Sequence, residues 1–149
     1  MDRIYVDTSV FGGYFEDEFK QWTKPFIDKF IKGEFKLLYS QHAEIELNNA
    51  PEQVRKLIQQ IPEKHIEFLA VTDMVVHLAD LYIREKVVGK ASIADCRHIA
   101  IATLNNADLL ASWNFKHIVN VSRIRGYNSV NYKYGHKIID IRTPREIIS

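Results

Sequence analysis

Short apolar runs alternate with longer segments of helical periodicity, and this alternation constrains the fold more than any other feature of the chain. Runs such as Arg3–Val6, Phe35–Tyr39 and Leu109–Ser112 have the length of buried strands, whereas the stretches between them carry apolar residues at helical spacing. Strands joined by helices favour an α/β fold with a parallel sheet. The length of 149 residues predicts a single domain over 1–149.

The same pattern predicts the remaining elements. Further strands are predicted at Ile66–Val71 and Lys137–Ile141. Helices are predicted at 16–32, 41–48, 51–60, 72–87, 92–106 and 121–131. Ser40 and Thr72 should cap two of these helices, and Pro25 should kink or restart the first. Gly12-Gly13 is placed in a loop, and the residues from Thr143 onward in a tail.

Composition excludes several classes of protein. Cys96 is the single cysteine, so the chain has neither a disulfide framework nor a cysteine-based zinc cluster. No apolar run approaches the length of a membrane span, and the N-terminus does not resemble a signal peptide. We therefore expect a cytoplasmic protein with no membrane contact.

The charges are unevenly distributed along the chain. Residues 112–149 contain seven basic and two acidic side chains, whereas residues 1–111 contain thirteen basic and seventeen acidic ones. An acidic body with a basic C-terminal quarter would suit a metal-binding cleft beside a rim that holds phosphate. A solvated surface with uneven statistics is the alternative.

Asp7 is the first candidate for a functional side chain. It follows the apolar run Ile4–Val6, so a parallel sheet would place its carboxylate at the carboxyl edge, where α/β proteins build their sites. A carboxylate at the end of a buried strand needs a partner, and a divalent cation is a common one. The alternative is an Asx-turn, in which Asp7 accepts a hydrogen bond from the N–H of Ser9.

Asp95 is the second candidate. Its spacing from Ser92 matches a capping box, in which the acid would serve only to begin a helix. However, Asp95, Ile99 and Ala102 share one helical face, so the carboxylate continues an apolar stripe. We expect it to point inward.

Glu44, Glu46 and Asn114 complete the set of oxygen donors. Both glutamates follow the second strand, and periodicity does not choose between them. Asn114 follows another strand, where its amide would ligate a metal, orient a water or simply occupy a turn. Oxygen donors at several strand ends suit Mg²⁺ or Mn²⁺ rather than zinc. The chain lacks the signatures of a phosphate-binding loop and of a serine hydrolase.

Taken in order, these residues resemble the PIN domain family. The resemblance is carried by Asp7-Thr8-Ser9-Val10, by Ser40 with Glu46-Leu47, by Asp95–Ala100 and by Ser112–His117. The Trp-Asn-Phe-Lys-His ending of the last segment is similar to a subgroup of VapC-like proteins. The resemblance implies a three-layer α/β/α fold around a parallel sheet and a Mg²⁺- or Mn²⁺-dependent ribonuclease, such as the toxin of a type II toxin–antitoxin pair.

The resemblance also implies roles for individual residues. Asp7, Glu46 and Asp95 match the family's acids and would hold the metal, and the spacing from Ser40 favours Glu46 over Glu44. Ser9 and Asn114 would support these acids in the catalytic site. Because Asn114 stands where many members have a fourth acid, a non-catalytic RNA- or protein-binding module is the alternative.

The implied partners are an RNA substrate, an antitoxin protein and a second copy of the chain in a homodimer. Lys116, Arg123 and Arg125 would grip the phosphates that flank the cleaved bond.

Overall fold

A five-stranded parallel sheet lies between two layers of helices in the computed structural model, which describes residues 1–149. The strands are β1 (Arg3–Val6), β2 (Lys36–Ser40), β3 (Ile66–Leu69), β4 (Leu109–Ala111) and β5 (Ile141–Arg142). The helices are α1 (Thr8–Gly13), α2 (Lys20–Ile31), α3 (Gln41–Leu47), α4 (Glu52–Leu57), α5 (Asp73–Arg84), α6 (Ile93–Leu104), α7 (Val121–Lys133) and α8 (Pro144–Ile148). None of these helices combines the length and the apolar character that crossing a membrane requires.

The strand order β3-β2-β1-β4-β5 places β1 at the centre of the sheet. The sheet grows in one direction from β1 to β3 and in the other from β1 to β5, so its topological switch point lies between β1 and β4. Val6 of β1 is paired in parallel with Ala111 of β4. Asp7 and Ser112 therefore leave the sheet at the same edge, where the crevice of an open α/β sheet binds ligands.

Each face of the sheet is covered by its own apolar core, which confirms the α/β sandwich predicted from the sequence. Tyr5 and Leu110 are buried on one face with residues of α5, α6 and α7. Ile4 and Val6 are buried on the other face with residues of α1, α2, α3 and α4. Burial on both faces explains why the central strands read as continuous apolar runs rather than as alternating ones.

Both predicted helix caps form. The hydroxyl of Ser40 accepts a hydrogen bond from the N–H of Ala43 at 3.0 Å and begins α3. The hydroxyl of Thr72 accepts one from the N–H of Val75 at 3.3 Å and begins α5. These local signals located two helix starts to within a residue.

The segment after β1 differs from the prediction. Gly12-Gly13, placed in a loop, closes helix α1, and α2 begins at Lys20 rather than at Glu16. A Cβ added to Gly13 would lie 2.7 Å from Cδ1 of Trp113, so this glycine serves close packing rather than a turn. The helix α2 continues through Pro25.

The C-terminal segment also differs. The last strand lies at Ile141–Arg142 instead of Lys137–Ile141, and a short helix replaces the predicted tail. Thr143 and Glu146 form a capping box, in which the threonine hydroxyl accepts from the N–H of Glu146 at 3.2 Å. The Thr-x-x-Glu spacing was the signal for this helix.

Candidate metal centre

The predicted site residues come from four separate segments of the chain. Asp7 connects β1 to α1, Glu46 lies on α3, Asp95 lies in the first turn of α6, and Asn114 follows β4. Burial, together with the negative charges of Asp7 and Glu46, raises the pKa of Asp95. The three carboxylates therefore share one electrostatic environment at the switch point of the sheet.

Asp7 is held by hydroxyl groups on one of its two oxygens. Its Oδ2 accepts hydrogen bonds from Ser9 Oγ at 2.7 Å and from Ser112 Oγ at 2.8 Å. The carboxylate makes no capping bond to the backbone of α1, so the Asx-turn alternative does not describe it. Ser112 was not predicted as a site residue, although it precedes the Trp-Asn-Phe-Lys-His segment.

Glu46, and not Glu44, faces the crevice. Its Oε1 accepts hydrogen bonds from Thr8 Oγ1 at 3.0 Å and from His98 Nε2 at 2.6 Å. Glu44 is exposed on the outer side of α3, where its charge adds to the effect of burial in raising the pKa of Tyr39 to about 12. Two residues span about half a helical turn, so the two glutamates lie on opposite sides of α3. Only Glu46 shares its contacts with Thr8 and His98 with Asp7.

His98 is the residue of this centre that the sequence analysis missed. Its buried ring lies between two carboxylates, with Nε2 2.6 Å from Glu46 Oε1 and 3.4 Å from Asp7 Oδ1. Because a carboxylate only accepts, Nε2 carries the proton in the bond to Glu46. The other nitrogen, Nδ1, is 2.6 Å from Tyr5 Oη, which in turn is 2.7 Å from Ser40 Oγ. A buried hydrogen-bonded chain thus orients Glu46.

The charges of this chain favour an ion pair. Burial by itself lowers the pKa of His98, but the hydrogen bond to Glu46 and the charge of Asp7 outweigh it and raise that pKa overall. Burial likewise opposes the charge of Glu46, yet the bond from His98 leaves its pKa lowered. His98 lies three residues after Asp95, and this shared helical face was the available signal.

Asp95 is held by the side chain of Asn114. The amide nitrogen of Asn114 donates to Asp95 Oδ1 at 3.2 Å, and its amide oxygen accepts from the N–H of His117 at 3.0 Å. The backbone donor fixes which way the amide faces, so its NH₂ must face the carboxylate. Ser92 makes no capping bond, so Asp95 is not part of a capping box.

Each carboxylate has one oxygen that the protein holds closely and one that it holds weakly or not at all. Oδ1 of Asp7 has only long contacts, 3.5 Å from Thr8 Oγ1 and 3.4 Å from His98 Nε2. Oε2 of Glu46 lies 3.7 Å from His42 Nε2, and the hydrogen bond to Asp95 is made by Oδ1 and leaves Oδ2 without one. Oxygens of this kind are the ligands that Mg²⁺ and Mn²⁺ take in proteins. Donor chemistry therefore fits a hard divalent ion at this position.

A second group of possible metal ligands lies nearby but suits a metal ion less well. His42, Glu46 and His98 bring one ligand atom each within 4.8 Å of one another. However, Nε2 of His42 lies 3.0 Å from the carbonyl oxygen of Ala94, to which it must donate, and both nitrogens of His98 already have partners. Only Nδ1 of His42 makes no hydrogen bond among these ring nitrogens, so the carboxylate oxygens remain the better metal ligands.

Several of the basic side chains counted in residues 112–149 are already engaged by other groups of the protein. Lys133 pairs with Glu85, and Arg142 pairs with Asp140. Arg123 donates to the carbonyl of Val87 instead of projecting into solvent. Lys116 and Arg125 are exposed and make no ion pair, and Lys116 is two residues from Asn114.

Comparison with solved structures finds chains of the same fold in two crystal structures. The chain is similar to one in the crystal structure of VapBC2 from Rickettsia felis bound to a DNA fragment from their promoter, with a TM-score of 0.53, 12% identity, and coverage of 95% of this chain and 98% of that chain. It is also similar to a chain of FitAcB from Neisseria gonorrhoeae, with a TM-score of 0.57, 12% identity, and coverage of 95% and 97%. No family model and no curated protein matches the sequence.

Proposed function

We propose that this chain is a metal-dependent ribonuclease of the PIN type, which hydrolyses RNA phosphodiester bonds as the toxin of a toxin–antitoxin pair. The observation that carries the proposal is that His98 contacts both Asp7 and Glu46, while the charges of these two acids raise the pKa of Asp95. The resemblance of the sequence to VapC-like PIN domains and the likeness of the fold to VapBC2 and FitAcB support the same assignment.

The three carboxylates would hold one Mg²⁺ or Mn²⁺ ion through the oxygens that the protein holds least closely. Such an ion lowers the pKa of a water molecule and neutralises charge on phosphoryl oxygens. Phosphoryl transfer needs little other chemistry from the protein, so positioning and charge account for most of the catalysis.

The remaining side chains of the centre position these carboxylates. Ser9 and Ser112 hold Asp7, and Asn114 holds Asp95. His98 holds Glu46 and separates it from Asp7, which limits repulsion before an ion arrives. Ligands that are themselves hydrogen-bonded are already in place when metal and substrate bind.

A nuclease assay with carboxylate variants tests the proposal. Asp7→Asn and Asp95→Asn should each abolish Mn²⁺-dependent cleavage of single-stranded RNA, because each removes one charged ligand. Asp2→Asn is the matched control: Asp2 is exposed and precedes β1 at the opposite end of the strand that Asp7 follows. Cleavage that survives both site substitutions would contradict the proposal. DNA and a small phosphoester, tested in parallel, define the substrate class.

Metal binding can be measured separately from cleavage, through the melting temperature of the protein. The carboxylates repel one another without an ion, so Mn²⁺ should raise the melting temperature relative to EDTA. Asp95→Asn should remove most of that rise, whereas Asp2→Asn should keep it. Equal melting temperatures of the wild type in EDTA and in Mn²⁺ would count against a metal centre.

A non-catalytic module is the second candidate, and Asn114 favours it. Its amide occupies the place of a fourth acid and donates to Asp95, so the centre carries one negative charge fewer. Retained binding of RNA in Mn²⁺ without cleavage would identify this second function.

The proposal implies an antitoxin and a homodimer. Expression of the chain alone should arrest growth, Asp7→Asn should not, and a protein encoded beside the gene should relieve the arrest. Size-exclusion chromatography with light scattering measures whether two copies associate. Unimpaired growth of cells that contain the folded wild-type chain would argue against a toxin.

A further inference from the structure

We propose that Phe115 is a nucleobase-stacking subsite, which takes an unpaired base of a single-stranded RNA next to the phosphate at the carboxylates. This inference rests on the proposed function, since it names the part of the substrate that the same site would recognise.

The ring of Phe115 is the open end of an otherwise packed aromatic cluster. Phe19 and Trp113 stack with ring centroids 4.4 Å apart and planes at 19°. Phe115 lies 6.1 Å from Trp113 and 6.2 Å from Phe19, yet half of it remains exposed (51%), whereas Trp113 is buried. The inner rings therefore support Phe115 from behind and leave one side free for a planar ligand.

The backbone around Phe115 is tied to the carboxylate centre. The N–H of Trp113 donates to Ser9 Oγ at 3.0 Å, and the N–H of Asn114 donates to Ser112 Oγ at 2.9 Å. Both hydroxyls in turn donate to Asp7 Oδ2. The ring is thus held in a fixed relation to the residues that would act on the phosphate.

The segment is fixed on its other side as well. The amide of Asn120 donates to the carbonyl oxygens of Phe115 and Lys116, at 2.8 Å and 2.9 Å. The indole N–H of Trp113 donates to Thr23 Oγ1 at 2.9 Å and anchors the cluster on α2. A platform that is already ordered loses little conformational entropy when a base stacks on it.

The charge beside the ring of Phe115 favours a nucleotide as its ligand over an apolar segment of a protein partner. Lys116 is exposed, has no acidic partner and directly follows Phe115, so it can meet a backbone phosphate. Aromatic rings with adjoining cations are the usual components of single-strand binding, because every base presents a π-face.

An abasic scan tests the subsite. The cleavage position in a short single-stranded oligoribonucleotide is mapped first, and each flanking nucleotide is then replaced in turn by an abasic one. One flanking position should show a loss of about 5- to 150-fold in kcat/KM for the wild type, the range expected for one base–aromatic stack. Phe115→Leu should show a similar loss on intact RNA and no further loss at that abasic position, whereas Phe115→Tyr should keep the wild-type rate.

A binding measurement separates stacking from catalysis. In the cleavage-inactive Asp7→Asn protein, 2-aminopurine at the sensitive position should lose fluorescence on binding, and adding Phe115→Leu should abolish that quenching. Phe68→Leu is the matched control, because Phe68 is equally exposed (54%) but lies on the edge strand β3.

These experiments distinguish a failure of the Phe115 subsite from a failure of the proposed function. If the protein cleaves RNA but no flanking position responds to both base removal and Phe115→Leu, the subsite proposal is wrong. The ribonuclease assignment would then still stand. Unchanged RNA kinetics together with weakened binding of an antitoxin would assign Phe115 to a protein interface and also overturn the subsite proposal. Absence of cleavage or binding of any RNA by the wild type would instead overturn the proposed function.

Discussion

Replacing His98 with leucine is the perturbation that most directly tests how the carboxylate centre is held together. The substitution removes the 2.6 Å bond to Glu46 and the 2.6 Å contact with Tyr5. A hydrogen bond to a charged group contributes about 1.5–3 kcal/mol and an ordinary one about 0.5–1.5 kcal/mol. The hydroxyl of Tyr5 keeps its second partner, Ser40 Oγ, at 2.7 Å. The side chain of Glu46 is 31% exposed, so water compensates for part of its loss. We expect the metal-free protein to lose about 2–4 kcal/mol of its free energy of unfolding.

Thermal unfolding in EDTA measures this loss. At about 2–4 °C per kcal/mol for a chain of this size, His98→Leu should melt about 4–16 °C below the wild type. His98→Gln retains an N–H that can reach Glu46 and should recover part of the difference. His77→Leu, at an exposed position of α5, is the control for a histidine loss without these contacts.

The difference in stability between the wild type and His98→Leu should depend on pH. The raised pKa of His98 means that its protonated form stabilises the fold fully below its ordinary value of 6.5, and that this contribution is lost as the pH rises through the raised value. The lowered pKa of Glu46 gives a contribution that is fully present above its ordinary 4.5 and lost as the pH falls through the lowered value. The gap between the wild type and His98→Leu is therefore largest between pH 4.5 and 6.5. Equal stability within that window, or a gap that does not shrink in alkaline solution, would refute the reasoning.

Two further substitutions test other parts of the structure. Gly13→Ala should lower the free energy of unfolding by about 1–3 kcal/mol, because its Cβ would lie 2.7 Å from Trp113, whereas Gly12→Ala meets nothing closer than 3.4 Å and should be neutral or stabilising. Urea unfolding of both variants decides this, and equal effects would exclude close packing as the reason for Gly13. Asn114→Asp should destabilise the metal-free protein by placing a second carboxylate against Asp95, and should raise the affinity for Mn²⁺. Calorimetric titration measures that affinity, and an unchanged or lower value would contradict an acidic metal centre.

Features that depend on neighbours along the chain could be predicted from the sequence. The apolar run of β1 located the central strand, and Ser40 and Thr72 located two helix starts. The expectation that Asp95 points inward came from its helical face, and the carboxylate does lie in the crevice. Gly13 was misassigned because its role depends on Trp113, which lies one hundred residues further along the chain.

The α/β layering follows from the amino-acid sequence, since hydrophobic period and capping residues act within a few residues of one another. Which polar atoms meet at the edge of the sheet depends instead on how distant segments fold together. His98 reaches Glu46 across 52 residues and Tyr5 across 93, and Ser112 reaches Asp7 across 105. A periodic pattern shows which side of an element is buried, but contacts between elements depend on the strand order, because that order brings distant parts of the chain together.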